Sequence, residues 1–247
     1  MKQLLLVSLI VLCTKLFAQD ELPVGTILPI ELNSSLRSDK ARAGEEISAR
    51  LMQDVSLPGG RKIHAGAKVI GHIVSARPAV NGMMADLSVR FDTLSIGKRR
   101  VAMLTNLRAL ASMMDVEDTQ VPPTGPDRGT PWVWETRNLI GGEVAYGEGP
   151  VARGTDIVGQ ALPSGVLIRV KPNAALGCRG EVAGAVQPQA LWVFSSDACG
   201  LYDLPNLTLG HSGRTDPVGL IKLLCDKGNV KVRAGSGMLL RVIAAGQ

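Results

Sequence analysis

PVGTILPIELNSSLRSDKARAGEEISARLMQDVSLPGGRKIHAGAKVIGHIV, residues 23–74, is the stretch whose reading decides the fold. Gly25 opens an apolar run that continues to Leu32 and contains Pro29. Proline cannot donate to a ladder, so this run is expected as a strand at a sheet edge or a barrel mouth. A polar turn with Ser38, Asp39 and Gly44 follows, and a β pattern resumes over 47–55. Pro58-Gly59-Gly60 turns the chain again, and Ala65-Gly66-Ala67 leads into Val69-Ile70-Gly71-His72-Ile73-Val74. Short apolar runs punctuated by glycine and proline indicate many short strands. No catalytic spacing occurs in this stretch.

The pattern continues outward. In 84–94, Leu87, Val89 and Phe91 fall on one face and Ser88, Arg90 and Asp92 on the other, the period of a half-buried strand. A turn around Gly97 carries the basic run Lys98-Arg99-Arg100, and 101–110 returns as the partner strand. Residues 111–150 change character: Asp115, Glu117 and Asp118 precede Pro122-Pro123 and a glycine-rich tract, which predicts a long irregular insertion. Beyond it, Ser164-Gly165-Val166-Leu167-Ile168-Arg169-Val170 is echoed by Ser236-Gly237-Met238-Leu239-Leu240-Arg241-Val242. Further strands are expected at 190–194, 219–224 and 229–234. The fold class is therefore mainly β, a distorted antiparallel β-barrel or sandwich with a C-terminal β extension.

Composition agrees. Apolar residues make up 45% of the 247 residues and aromatics only 3%, so the core is aliphatic. The amino terminus has the layout of an export signal: Lys2, an apolar run over 4–12, and Phe17-Ala18 as a cleavage end. That run is shorter than the roughly 20 residues a spanning helix needs. Cys13 follows Leu12 rather than the small residue of a lipoprotein signal. Loss of residues 1–18 removes Lys2 and Lys15 and lowers the net charge from +5 to +3, too little to argue for nucleic acid.

Cys178, Cys199 and Cys225 remain, and an oxidising compartment favours one bridge among them. Cys178 with Cys199 is the expected pair, closing a loop of about 20 residues worth ~3 kcal/mol. Cys199 with Cys225, or three reduced thiols, are the alternatives. Trp132 and Trp134 sit past the insertion and are candidates for core anchoring or partner contact. Lys98, Arg99 and Arg100 are candidates for contact with an anionic surface, or simply a charged turn that blunts a sheet edge.

Residues 23–75 resemble the C-terminal domain of the TrbI-like conjugation proteins, the channel-forming subunits of type IV secretion core complexes. The matching residues are Gly25-Thr26-Ile27-Leu28-Pro29, Leu32, Leu36, Ser38-Asp39, Gly44, Val55, and Ala65-Gly66-Ala67 through Gly71. The resemblance implies a related β-barrel over 19–176, with a last strand near 162–171, and a place in the bacterial cell envelope. Those proteins insert a helical pair where this chain carries 111–150, and residues 177–247 have no counterpart.

The functional expectation is an exported, non-enzymatic protein of the periplasm or outer envelope. It would meet other envelope proteins, or itself, through a strand edge or the 111–150 loop, with membrane-surface or peptidoglycan contact as a further option. No cofactor, metal or nucleic acid is called for. The alternatives are a secreted hydrolase built on Cys199, His211 and Asp197 or Asp216, and a cell-wall or carbohydrate-binding module. Eight aromatic residues in all weaken the latter.

Overall fold

The computed structural model describes residues 22–80, 82–120, 137–140, 143–145, 151–153, 156–159, 191–195 and 198–245. The export signal, Trp132, Trp134, Cys178, Asp197 and the strand expected at 162–171 lie outside them.

Nine strands form one sheet: β1 (Ile27–Leu32), β2 (Glu46–Leu51), β3 (Lys68–Arg77), β4 (Ala85–Ile96), β5 (Arg99–Ala111), β6 (Gly200–Tyr202), β7 (Leu207–His211), β8 (Ile221–Cys225) and β9 (Gly237–Ala245). Their order is β6-β5-β9-β1-β2-β3-β4-β8-β7, and β4 also pairs with β5. Six of them, β5-β9-β1-β2-β3-β4, therefore close an antiparallel β-barrel. Closure removes the exposed edges that an open sheet would leave.

The decisive stretch supplies half of that ring. Leu28, Ile30 and Leu32 point inward from β1 and are almost wholly buried. β1 is not an edge strand: Ile27 to Glu31 pair with β9, and Ile30 to Leu32 pair with β2. Pro29 is tolerated because it lies one residue past the last rung of the β1–β2 ladder, Ile30 opposite Leu51. Only its carbonyl is used there, accepting the Met52 N–H at 2.9 Å. The edge expectation for this strand is therefore corrected: Pro29 lies inside the ring, opposite Leu239 of β9.

β4 and β5 meet only near their shared hairpin, Thr93 opposite Ala102 through Ile96 opposite Arg99. They then part. On the freed edge of β4, residues 85–89 take β8, and on that of β5, residues 109–111 take the parallel strand β6. β7 completes this filling, and the Leu107 N–H reaches Ser212 O just past its end at 2.8 Å.

The C-terminal segment is thus no separate extension. β9, the echoed strand of the sequence, is a stave of the barrel between β1 and β5. The expectation of a unit beginning at residue 177 missed this, because pairing between chain ends leaves no local pattern.

Two hydrophobic cores share the wall. The interior is filled by side chains that include Leu28, Ile30, Leu87, Phe91, Met103 and Leu240. A second cluster lies on the outer face, where Ala109, Ala111 and Leu239 meet Val116, Phe194 and Tyr202. Val116 belongs to α1 (Met113–Gln120), where the sequence reading expected irregular chain. The helix starts because Ser112 caps it: its Oγ accepts the Asp115 N–H at 3.1 Å.

Within the segment 190–194, expected as a strand, residues 191–194 form a tight turn. Leu191 and Phe194 exchange both backbone hydrogen bonds, at 3.0 and 3.1 Å. Trp192 sits inside the turn at φ 59°, a left-handed conformation unusual for so bulky a residue. The Gln53 side chain accepts its N–H.

Candidate partner-binding end of the barrel

The long strand β4 carries a hairpin tip at each end, and the two differ in chemistry. Its eleven steps at ~3.3 Å place the tips about 36 Å apart. The β4–β5 tip holds Lys98, Arg99 and Arg100, all exposed. Arg100 lies close enough to help lower the Glu46 carboxyl, whose main cause is the Lys68 ammonium bonded at 2.9 Å.

The β3–β4 tip is apolar. Gly82, at φ 80°, allows a tight turn in which the Met83 N–H donates to Val80 O at 2.9 Å. Val80, Met83 and Met84 are 45%, 68% and 50% exposed. Single exposed apolar side chains are ordinary. Three within five residues of one turn, two of them methionines able to reshape against many surfaces, form a patch of the contacting kind.

That tip is fastened to a cavity. The Ala79 N–H donates to Asn229 Oδ1 at 2.8 Å, and Asn229 lines a hollow of about 320 Å³ between the β6–β7 turn and the chain after β8. Leu204, Leu207 and the buried Cys225 form part of its wall, with Lys227 and Lys231 also lining it. The Cys225 thiol is free and donates to Lys227 O at 3.4 Å, which removes Cys225 as a partner for Cys199. The arrangement offers apolar wall and amine charge side by side.

No protein-family model, curated protein or solved structure matches this chain.

Of the hydrolase alternative, Cys199, His211 and Asp216 are described, and no catalytic hydrogen-bond chain links them. Cys199 is 1% exposed, and its N–H donates to Tyr202 Oη at 2.8 Å. His211 spends both ring nitrogens on its own loop. The Gly213 N–H donates to Nδ1 at 3.0 Å, Leu220 O lies 2.7 Å from the same atom, and Nε2 stands 3.3 Å from both Asp216 O and Thr215 Oγ1. No hydrogen bond joins it to Cys199, and Asp216 approaches it with its carbonyl rather than its carboxylate. His72 on β3 pairs with Asp92 on β4 at 2.8 Å, and His64 with Asp54 at 3.5 Å in the chain between β2 and β3. Among the described residues no group of three or more His, Cys, Asp or Glu side chains has metal-holding geometry. No described helix is long and apolar enough to cross a membrane.

The acids at 115–118 fall on α1. The Asp115 carboxyl is held above its ordinary value of 3.8, first by burial and then by the charges of Asp203 and Asp118. Asp203 is itself fixed there by the Ser112 hydroxyl, which donates to Oδ2 at 2.7 Å. A carboxyl with a raised folded pKa binds its proton more tightly folded than unfolded. Its stabilising contribution is complete below the unfolded value and is lost as pH rises through the raised one. Asp115→Asn is expected to remove that falling component from the Tm-against-pH curve while leaving the fold intact. Superimposable curves for the two proteins would contradict it.

The apolar tip itself was not singled out from the sequence. Its signal is a methionine pair beside a glycine, outside the strand alternation that begins at Ala85, where an ordinary hairpin carries polar residues.

Proposed function

We propose that this chain is an exported, non-enzymatic β-barrel protein of the bacterial envelope, an interaction module related in role to the barrel domain of TrbI-like secretion proteins. The supporting observation is the apolar β3–β4 tip, exposed on a barrel whose own interior is filled. Burying Val80, Met83 and Met84 against a partner stabilises that contact by about 25 cal/mol per Å² removed from water, before the cost of association. The occupant in this reading is another envelope protein, and the basic β4–β5 tip at the opposite end faces an anionic surface. Cys178 and Cys199 form the bridge of the exported protein, leaving Cys225 reduced.

The test uses the full chain expressed with its leader in a bacterial host. A photo-crosslinking residue at position 83 is expected to give one discrete adduct with an envelope protein, abolished by Val80→Ser and Met84→Ser. The protein purified from the periplasm should titrate with a single thiol, exposed only on denaturation. Cytoplasmic retention with all four thiols of the uncleaved chain free refutes the export reading. An adduct pattern indifferent to the serine substitutions refutes the docking one.

A further inference from the structure

Arg90 is a half-buried cation without an anion. It lies on the outer face of β4, and no acid or hydrogen-bond acceptor pairs with it among the described residues. Its Nε is buried and unsatisfied. The nearest acid along the strand, Asp92, is already engaged: Oδ2 by His72 at 2.8 Å and Oδ1 by the Thr93 hydroxyl at 2.8 Å. His72 stands directly opposite Arg90 on β3, and Lys222 stands opposite the neighbouring Ser88 on β8. Basic residue types, His72 on β3 and Lys222 on β8, therefore occupy the strand positions on either side of Arg90. Leaving a buried charged donor unmet costs more than a neutral one.

A second orphan lies under the same cover. Asn106 is 1% exposed, and its Oδ1 has no donor. Loop 212–220 runs over this face. The Leu107 N–H donates to Ser212 O at 2.8 Å, and a Cβ built on Gly219 would stand 2.5 Å from Leu104 Cδ1 and 3.7 Å from Arg90 Nε. Leu104 and Asn106 project from the same side of β5, so the unmet donor and the unmet acceptor both belong to the wall beneath the loop. The loop is anchored by His211 and by the Gly219 N–H on Gly213 O at 2.8 Å, both glycines having positive φ.

We propose that Arg90 and Asn106 form a binding site for a protonated oxyanion, a phosphate group that still carries one hydrogen, entered when loop 212–220 lifts. One oxygen accepts from the Arg90 guanidinium in a charge-assisted bond. The P–OH donates to Asn106 Oδ1. A fully deprotonated oxyanion such as sulfate satisfies the arginine and leaves the asparagine oxygen facing a lone pair. This site is independent of the apolar tip, on a different face of the barrel.

Thermal melts and calorimetric titration of the full chain at about pH 6, where phosphate esters retain a proton, provide the test. The probes are inorganic phosphate, sulfate and chloride at matched ionic strength. Phosphate is expected to bind and raise Tm, with sulfate weaker. Arg90→Gln should weaken phosphate binding by about tenfold or more. Arg90→Lys, which keeps the charge but lacks Nε, should weaken it too. Asn106→Leu should erase the preference over sulfate. Equal effects of the three salts on the unmodified protein overturn the proposal without recourse to any variant. Undiminished phosphate affinity in Arg90→Gln or Arg90→Lys overturns it as well.

Discussion

Gly71→Ala is expected to destabilise the barrel by about 3 kcal/mol or more, the upper range for a forced overpacking. Gly71 sits in β3 at an irregular register, where Ile70 faces Thr93 but Gly71 faces Phe91. The extra residue on β4 drives its backbone toward the glycine. A Cβ at Gly71 would overlap the carbonyl oxygen of Arg90 and stand 2.9 Å from Phe91 Cδ1 and 3.1 Å from Arg90 C. Two of these three atoms are backbone, which cannot rotate aside. Relief requires β3 and β4 to separate, breaking rungs of a closed ring, or Phe91 to leave its place among the largest fully buried side chains.

Gly44 provides the contrast. Its φ is 83° but nothing lies within 4 Å of a Cβ built there, so Gly44→Ala bears only the left-handed backbone penalty of about 1–2 kcal/mol. Denaturant melts of the two variants should show Gly71→Ala with the far lower midpoint at an unchanged slope. A Gly71→Ala protein within about 1 kcal/mol of the parent would mean that the β3–β4 irregularity is not as described.

This glycine also marks what the sequence conveys. Local alternation made β4 and β5 legible, because Leu87, Val89 and Phe91 must share a face whatever they pack against. The glycine and proline turns at 58–60 and 97 separated the strands correctly for the same local reason. Closure was not local. β1 meets β9 across the length of the chain, and nothing at Gly25 announces Arg241.

α1 was hidden because its eight residues are mostly polar. Only the spacing of Ser112 and Asp115, a hydroxyl cap three residues before an acid, pointed to it. The turn at Trp192 was misread because a left-handed tryptophan defeats residue preference; tertiary packing on Gly237 holds it there. The same limit applies to Arg90. Its alternation places it on the polar face, but which polar residues find partners is decided by neighbouring strands.

Phe194→Ala is expected to release the outer layer while the barrel stays folded. Phe194 is fully buried, yet it belongs to the outer cluster and not to the interior one. It meets Trp192 edge-on with ring centroids 6.3 Å apart. Three side chains converge on bare Gly237, where a Cβ would stand 3.0 Å from Trp192 Cζ3, 3.0 Å from Val116 Cγ2 and 3.2 Å from Phe194 Cε2. That glycine is what lets the 191–195 turn and α1 lie flat against the wall. Removing the phenyl ring takes away about 3–5 kcal/mol from this layer. Because the interior set loses no contact of its own, the loss falls on a local opening rather than on global unfolding. Native-state hydrogen exchange should show the α1 amides and the Trp192 amide accelerating on the order of a hundredfold or more, each 1.4 kcal/mol being about tenfold. The β2 and β3 amides should hold their protection. Equal acceleration across all strands would show that wall and outer layer unfold as one unit, and the partition into two cores would have no energetic meaning.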